Sequence, residues 1–222
     1  MRRDGTHPDW TEVTTAEELE RLVGVPSRIV FDKSAATFGE LHRSWLRHSP
    51  FCLIATSGAD GGCDVTPRGD PPGFALVLDD STLAIPDRPG NRRADSWRNV
   101  LANPHVGMLF VIPGRGDTLR VNGSARLVSE APFFDRMVVR GHRPALALVV
   151  EAEEIYFHCS KSFLRAHFWQ PDSWRPDAVP SRARIAQATE WTQASLDELE
   201  RRYGPEYDNL LYGSSRQPRP PR

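Results

Sequence analysis

The chain is short of lysine, of cysteine and of long apolar runs. Lys33 and Lys161 are the only lysines among 28 basic residues, so an anion site here is built from arginine forks rather than point charges. Three cysteines, Cys52, Cys63 and Cys159, show no C-x-x-C spacing, which reads as reduced thiols rather than a disulfide framework. The seven histidines make no H-x-x-x-H pair, and no metal site is expected. No apolar run approaches the roughly 18–20 residues of a membrane-spanning helix. Met1 to His7 is charged without an apolar stretch behind it, so no secretory signal and a cytoplasmic location are expected. A formal net charge of −1 gives no pull toward nucleic acid or a membrane surface. No aromatic and basic residues interleave as on a strand-binding face.

What remains is a chain of 222 residues, 39% apolar and 26% charged, long enough for one sizeable domain with appendages. Its densest chemistry lies in Thr82-Leu83-Ala84-Ile85-Pro86-Asp87-Arg88-Pro89-Gly90-Asn91-Arg92-Arg93. An apolar strand runs into a Pro/Gly turn that ends in a doubly basic entry to a helix. Positive charge at a helix start opposes the macrodipole unless an anion sits there, and paired guanidiniums grip phosphate bidentately. Arg92 and Arg93, with the Asn91 amide as a further donor, are therefore candidate phosphate ligands.

Periodicity orders the rest. A capping box from Thr14 to Glu17 predicts a helix over 15–23, and apolar spacing predicts another over 36–48. The period then shortens to two. Strands are predicted over 51–57, 63–67, 74–78, 82–86, 106–112, 118–129 and 145–159, with helices over 93–103, 131–139 and 160–168. In 118–129, Leu119, Val121, Gly123 and Ala125 share one face, while Arg120, Asn122, Ser124 and Arg126 share the other. Close spacing and hairpin turns point to an antiparallel barrel. Beyond Trp169 a Pro-rich stretch leads to a capped helix over 196–203, and 213–222 is expected to be a disordered tail.

This order of motifs resembles the pyridoxamine 5'-phosphate oxidase-like flavoproteins. The resemblance rests on Asp64-Val65-Thr66-Pro67-Arg68, the Gly90-Asn91-Arg92-Arg93 turn, Asn103-Pro104-His105-Val106 and Leu119-Arg120-Val121-Asn122-Gly123. It covers about 36–169, and within the family it is similar to a bacterial subgroup of unassigned substrate. The resemblance implies a mainly β (α+β) fold, an antiparallel six-stranded split β-barrel with flanking helices that binds FMN at a homodimer interface. The divisions are then an N-terminal helical extension (1–35), the barrel (36–169), a Pro-rich segment with a helix (170–212) and the tail (213–222).

The resemblance also implies site residues. The basic pair falls on Arg92 and Arg93 at the FMN phosphate, while Val65, Thr66, Pro67 and Arg68 run along the flavin. Ile85 and Pro86 face it with their backbone, Asn91 meets phosphate or ribityl oxygens, and Arg120 and Lys161 complete the contacts. No general acid or base stands out, and no catalytic residue is named. The expected activity is an FMN-dependent oxidoreductase of a small molecule, with NAD(P)H a candidate reductant. The alternatives are an F420-dependent reductase of the same fold and a non-catalytic flavin- or haem-binding sensor or storage protein. The Trp…Arg-Leu-His signature of true pyridoxamine phosphate oxidases is missing: Arg165, His167 and Trp169 stand in another order. Pyridoxamine 5'-phosphate is therefore a poor candidate substrate.

Overall fold

The computed structural model describes residues 9–212; the tail expected over 213–222 lies outside the described residues, as does the start of the N-terminal extension. The chain divides into two units, Met1–Ser34 and Ala35–Arg222.

The first unit carries α1 (Ala16–Val23) and α2 (Arg28–Asp32). The cap of α1 sits one residue later than expected. Thr15 accepts from the Glu18 amide at 3.2 Å, and Glu18 Oε2 reaches back to the Thr14 amide at 3.0 Å. Adjacent threonines and adjacent glutamates make either register chemically sound, and the backbone selects the second. No residue of α1 is buried.

The second unit begins in extended backbone, because Ala35 pairs with Ile155. The first helix of this unit is therefore shorter than the expected 36–48: α3 spans Glu40–His48. Next come β1 (Phe51–Ser57), β2 (Cys63–Gly69), β3 (Leu76–Val77), β4 (Thr82–Pro86), α4 (Asp95–Ala102), β5 (His105–Val111) and β6 (Thr118–Val128). A 3-10 turn over Pro132–Met137 replaces the helix expected at 131–139, and β7 (Ala147–His158) and α5 (Lys161–Arg165) follow. The C-terminal part holds α6 (Arg182–Thr189), α7 (Leu196–Arg202) and a 3-10 turn over Pro205–Leu210.

The strands form one antiparallel sheet ordered β2-β1-β5-β6-β7-β4-β3. It has seven strands, not six. The seventh is β3, two residues long, which pairs Leu76 with Ala84 and Val77 with Leu83 on the free edge of β4. Its turn is fixed by Asp79, whose carboxylate accepts from the amides of Ser81 and Thr82 at 2.9 and 2.8 Å.

Alternation decides the core. Leu119, Val121 and Ala125 are buried as expected, joined by Ile54, Phe110, Leu148 and Val150 from neighbouring strands and by Trp45, Leu46 and Trp97 from helices. Each fully buried large aliphatic or aromatic side chain contributes about 1.5–3 kcal/mol. A second cluster, around Phe134, Met137 and Val149, covers the other face of β4 and β7. At Gly123 the β6–β7 register shifts, and any Cβ there would run into the Glu151 carbonyl. That approach requires glycine.

The sheet rolls until its ends meet. Four strands separate β2 from β4 in the hydrogen-bonded order. Yet Arg68 Nη1 donates to Asp87 Oδ1 at 2.9 Å, and Arg88 Nε to Asp70 Oδ2 at 2.6 Å. Side chains rather than a backbone ladder close this seam, which is the arrangement of a split barrel. Among the described residues, no helix is long and apolar enough to cross a membrane.

Candidate functional site

At the seam lies a cleft of about 360 Å³, walled on one side by Thr66 to Asp70 and on the other by Pro86 and Arg88 to Asn91. Its first wall ends an edge strand, where Pro67 is tolerated because one side of the strand lacks a ladder partner.

Arg68 is held from two sides. Its guanidinium carbon lies 4.2 Å from the centroid of the Trp97 ring, and its Nη1 is paired with Asp87. The same Asp87 oxygen accepts from Trp97 Nε1 at 3.1 Å. One carboxylate thus orients both a cation and the aromatic plate beneath it, a stacked arrangement that suits arginine far better than lysine. Among the described residues, Nη2 of Arg68 makes no hydrogen bond, and Nε is buried without a partner.

Arg88 does other work. Its Nε binds Asp70, Nη2 donates to the Met137 carbonyl at 2.7 Å, and Nη1 to the His142 carbonyl at 3.3 Å. The Asp70 side chain is 1% exposed. These contacts fasten the turn after β4 to the end of β2 and to the 137–142 loop.

Beyond Arg88 the backbone is irregular. Arg92 and Ala94 take left-handed conformations, with φ of 61° and 56°, so α4 begins at Asp95 rather than at residue 93. This corrects the expected doubly basic helix start: the arginines lie in the loop before the helix. Arg93 Nε binds Asp95, which raises the arginine's pKa through that hydrogen bond. The acid in the first turn compensates the dipole. Arg92 is exposed and has no hydrogen bond or ion pair among the described residues. Asn91 Oδ1 accepts from the Arg93 amide at 3.0 Å, which leaves its Nδ2 to donate.

Thr66, Pro67, Arg68, Pro86 and Asn91 therefore meet in one cleft, with Arg92 and Arg93 on the loop that leads out of it. Ile85 does not bring a side chain there: it is fully buried in the core. Because β3 ends opposite Ala84, Ile85 and Pro86 pair with β7 on one side only.

Val65 and Arg120 lie elsewhere, in a shallow depression of about 260 Å³ with Leu53, Ala55, Leu109 and Asn122. Arg120 Nη1 donates to the Tyr156 hydroxyl at 3.0 Å, and Asn122 Nδ2 to Glu154 at 2.8 Å. Lys161 opens α5, which stops at Arg165 instead of 168, and it joins neither cleft. Past it, Trp169 Nε1 donates to the Arg115 carbonyl at 2.7 Å. Among the described residues, no group of three or more His, Cys, Asp or Glu could hold a metal ion.

Sequence reasoning missed Asp70, Asp87, Arg88 and Trp97 as site residues. For Asp87 and Arg88 the signal was a carboxylate and a guanidinium side by side between two prolines, Pro86-Asp87-Arg88-Pro89; Asp70 and Trp97 carried none.

The sequence model of the pyridoxamine 5'-phosphate oxidase family matches residues 38–159. No curated protein matches the chain. Among solved structures, HupZ of Group A Streptococcus is 17% identical, covers 53% of this chain and 91% of its own, and has a TM-score of 0.43. An F420 reductase is 22% identical over 55% of this chain and 98% of its own, with a TM-score of 0.39. The haem storage protein HutZ of Vibrio cholerae is 13% identical over 52% and 89%, with a TM-score of 0.37. None of these likenesses bears on activity.

Proposed function

The chain belongs to the pyridoxamine 5'-phosphate oxidase family, and from that premise we propose that it is an FMN-dependent oxidoreductase of a small molecule, its flavin held between two copies of the chain. The observation that carries this reading is the cationic cleft at the seam of the sheet. Arg68 stands on one wall, and the Asn91-Arg92-Arg93 loop leads out of the other.

The residues fit such a ligand. A phosphate needs cations and N–H donors; Arg92 lacks a protein counter-ion among the described residues, Arg93 shares its charge with Asp95, and Asn91 retains Nδ2. A flavin ring needs positive charge at its pyrimidine edge; Arg68 keeps Nη2 for that purpose, with Asp87 and Trp97 fixing its direction. Thr66 supplies a hydroxyl, and Pro67 only a carbonyl and shape, since it has no N–H. Ile85 acts through its backbone alone. Bound FMN supplies the hydride and electron transfer.

The cleft itself offers little acid–base chemistry. No histidine lines it, and its one carboxylate, Asp70, is already engaged. The chain's part is to bind, orient and shield.

A second copy is supported by the outer face of β2, β1, β5 and β6. Val65 is 60% exposed, and it shares a depression with Leu53 and Leu109. In the dimer Arg120 meets the cofactor from one subunit or the other, and Lys161 contacts cofactor or substrate from the turn after β7.

Titration of the cofactor-free protein with FMN and, separately, with F420 tests the reading. FMN is expected to bind with quenched fluorescence, and joint replacement Arg92→Ala with Arg93→Ala to weaken it by about tenfold or more, the worth of one charge-assisted hydrogen bond. Binding of F420 alone, a haem Soret band in the purified protein, or unchanged FMN affinity in the double variant would overturn it.

A further inference from the structure

The Asp70 carboxylate is deeply buried, and both its oxygens are claimed. Arg88 takes Oδ2 at 2.6 Å, and the hydroxyl of Tyr212, 142 positions further along the chain, donates to Oδ1. Water does not reach this carboxylate, so a lost donor on Oδ1 has no substitute. The Tyr212 ring is held as specifically as its hydroxyl. It stacks on His142 at an interplanar angle of 20° and a centroid distance of 6.2 Å. The guanidinium carbons of Arg88 and Arg140 lie 5.5 and 5.4 Å from its centroid, within cation–π range.

The socket is built around this contact. Arg140 and Gly141 both have positive φ, 49° and 78°, in a two-residue turn closed by reciprocal backbone bonds between Val139 and His142 at 3.2 and 2.9 Å. A non-glycine residue in that region is strained, and here the strain sets Arg140 against the Tyr212 ring. Two of the socket's residues, Asp70 and Arg88, are also walls of the cleft. Arg88 in turn sits in the turn that bears Asn91.

We propose that Tyr212 is a clasp: the C-terminal segment of each subunit reaches back to that subunit's own cleft, and the Tyr212 hydroxyl positions the 86–91 turn through Asp70 and Arg88. Tyr212 is a positioning residue and touches no cofactor. Its effect on FMN rests on the flavin reading; its effect on the turn does not.

The test uses the full chain with Tyr212→Phe, which keeps the ring and removes the donor, and Tyr212→Ala, which removes both. Amide exchange in the cofactor-free protein reads the turn directly. Faster exchange at Asp87, Arg88, Gly90 and Asn91 is expected in both variants, with β5 amides unchanged. Tyr212→Phe is also expected to weaken FMN binding about threefold to tenfold, the range of one hydrogen bond, and Tyr212→Ala to weaken it further. Wild-type exchange across 87–91 in Tyr212→Ala overturns the clasp. Wild-type FMN affinity in both variants overturns its action on the cofactor. A wild-type protein that binds no FMN sinks the flavin reading, and the exchange rates then decide the clasp alone. Global loss of protection in Tyr212→Ala with a wild-type turn in Tyr212→Phe marks ordinary packing, and that result also overturns the proposal.

Discussion

Arg88 and Asp70 face each other across the seam of the sheet with 13% and 1% of their side chains exposed. A pair so shielded is weak evidence of net stability, but breaking it is costly, because one charge is left buried alone. Arg88→Ala is expected to destabilise the fold by about 3–5 kcal/mol, measured by urea unfolding. The joint replacement Asp70→Leu with Arg88→Met should recover much of that loss, since no unpaired charge remains. A loss below about 1 kcal/mol in the single variant would show that the pair is hydrated.

Asp87 is the hinge of the second seam contact, accepting from both Arg68 and Trp97. Asp87→Ala leaves the indole N–H without its acceptor and the guanidinium without its guide. Tryptophan emission should shift, and FMN affinity should fall about tenfold, as expected for one charge-assisted bond. Asp87→Asn, which keeps an acceptor oxygen, should restore the emission more fully than the affinity. Equal behaviour of the two variants in both measurements counts against the orienting role.

The three thiols should react unequally. Cys52 is buried in the core, and burial pushes its pKa up to about 12, with Arg68 pulling weakly the other way. The thiolate is the reactive species, so Cys52 should stay unlabelled by iodoacetamide at pH 8 in the native protein. Cys63 and Cys159, both exposed, should label. Mass spectrometry after digestion reads all three, and native labelling of Cys52 would show that β1 opens.

Acid should weaken the β3–β4 turn. The amide of Ser81 chiefly, then the hydroxyl and the amide of Thr82 and the Arg43 charge, hold the Asp79 carboxyl below its usual pKa against a small opposing effect of burial. A depressed carboxylate contributes stability that is present above its unfolded value of about 3.9 and is lost as pH falls through the folded value. Wild type should therefore exceed Asp79→Ala in urea midpoint at pH 7, and the gap should narrow as pH falls below the unfolded value of about 3.9. A gap that does not change with pH rules this linkage out.

What could be read beforehand follows a physical line. The buried face of β6 was legible because alternation is local: Leu119, Val121 and Ala125 need no partner to declare their side. The cap of α1 was legible to within one residue, as Thr14-Thr15 and Glu17-Glu18 offer two registers. The helix α6 was not legible, since its buried face consists of Ala183 and Ala186, too small to stand out after a Pro-rich stretch. The start of α4 moved because left-handed backbone at Arg92 and Ala94 is not written in side-chain type. In the site, the cleft-lining Thr66, Pro67, Arg68, Pro86 and Asn91 were legible through family resemblance, whereas Asp70 with Arg88 and Asp87 with Trp97 emerged only once the sheet had rolled.

Closing the barrel with guanidinium–carboxylate pairs has an evolutionary consequence. A hydrogen-bonded ladder would hold its two strands at about 4.8 Å, whatever the side chains. Here the gap is spanned by the reach of Arg68 and Arg88, so lengthening or shortening one residue resets its width while every strand keeps its register. A frame of this kind can change the width of its seam through side-chain length alone, provided that each pair stays intact.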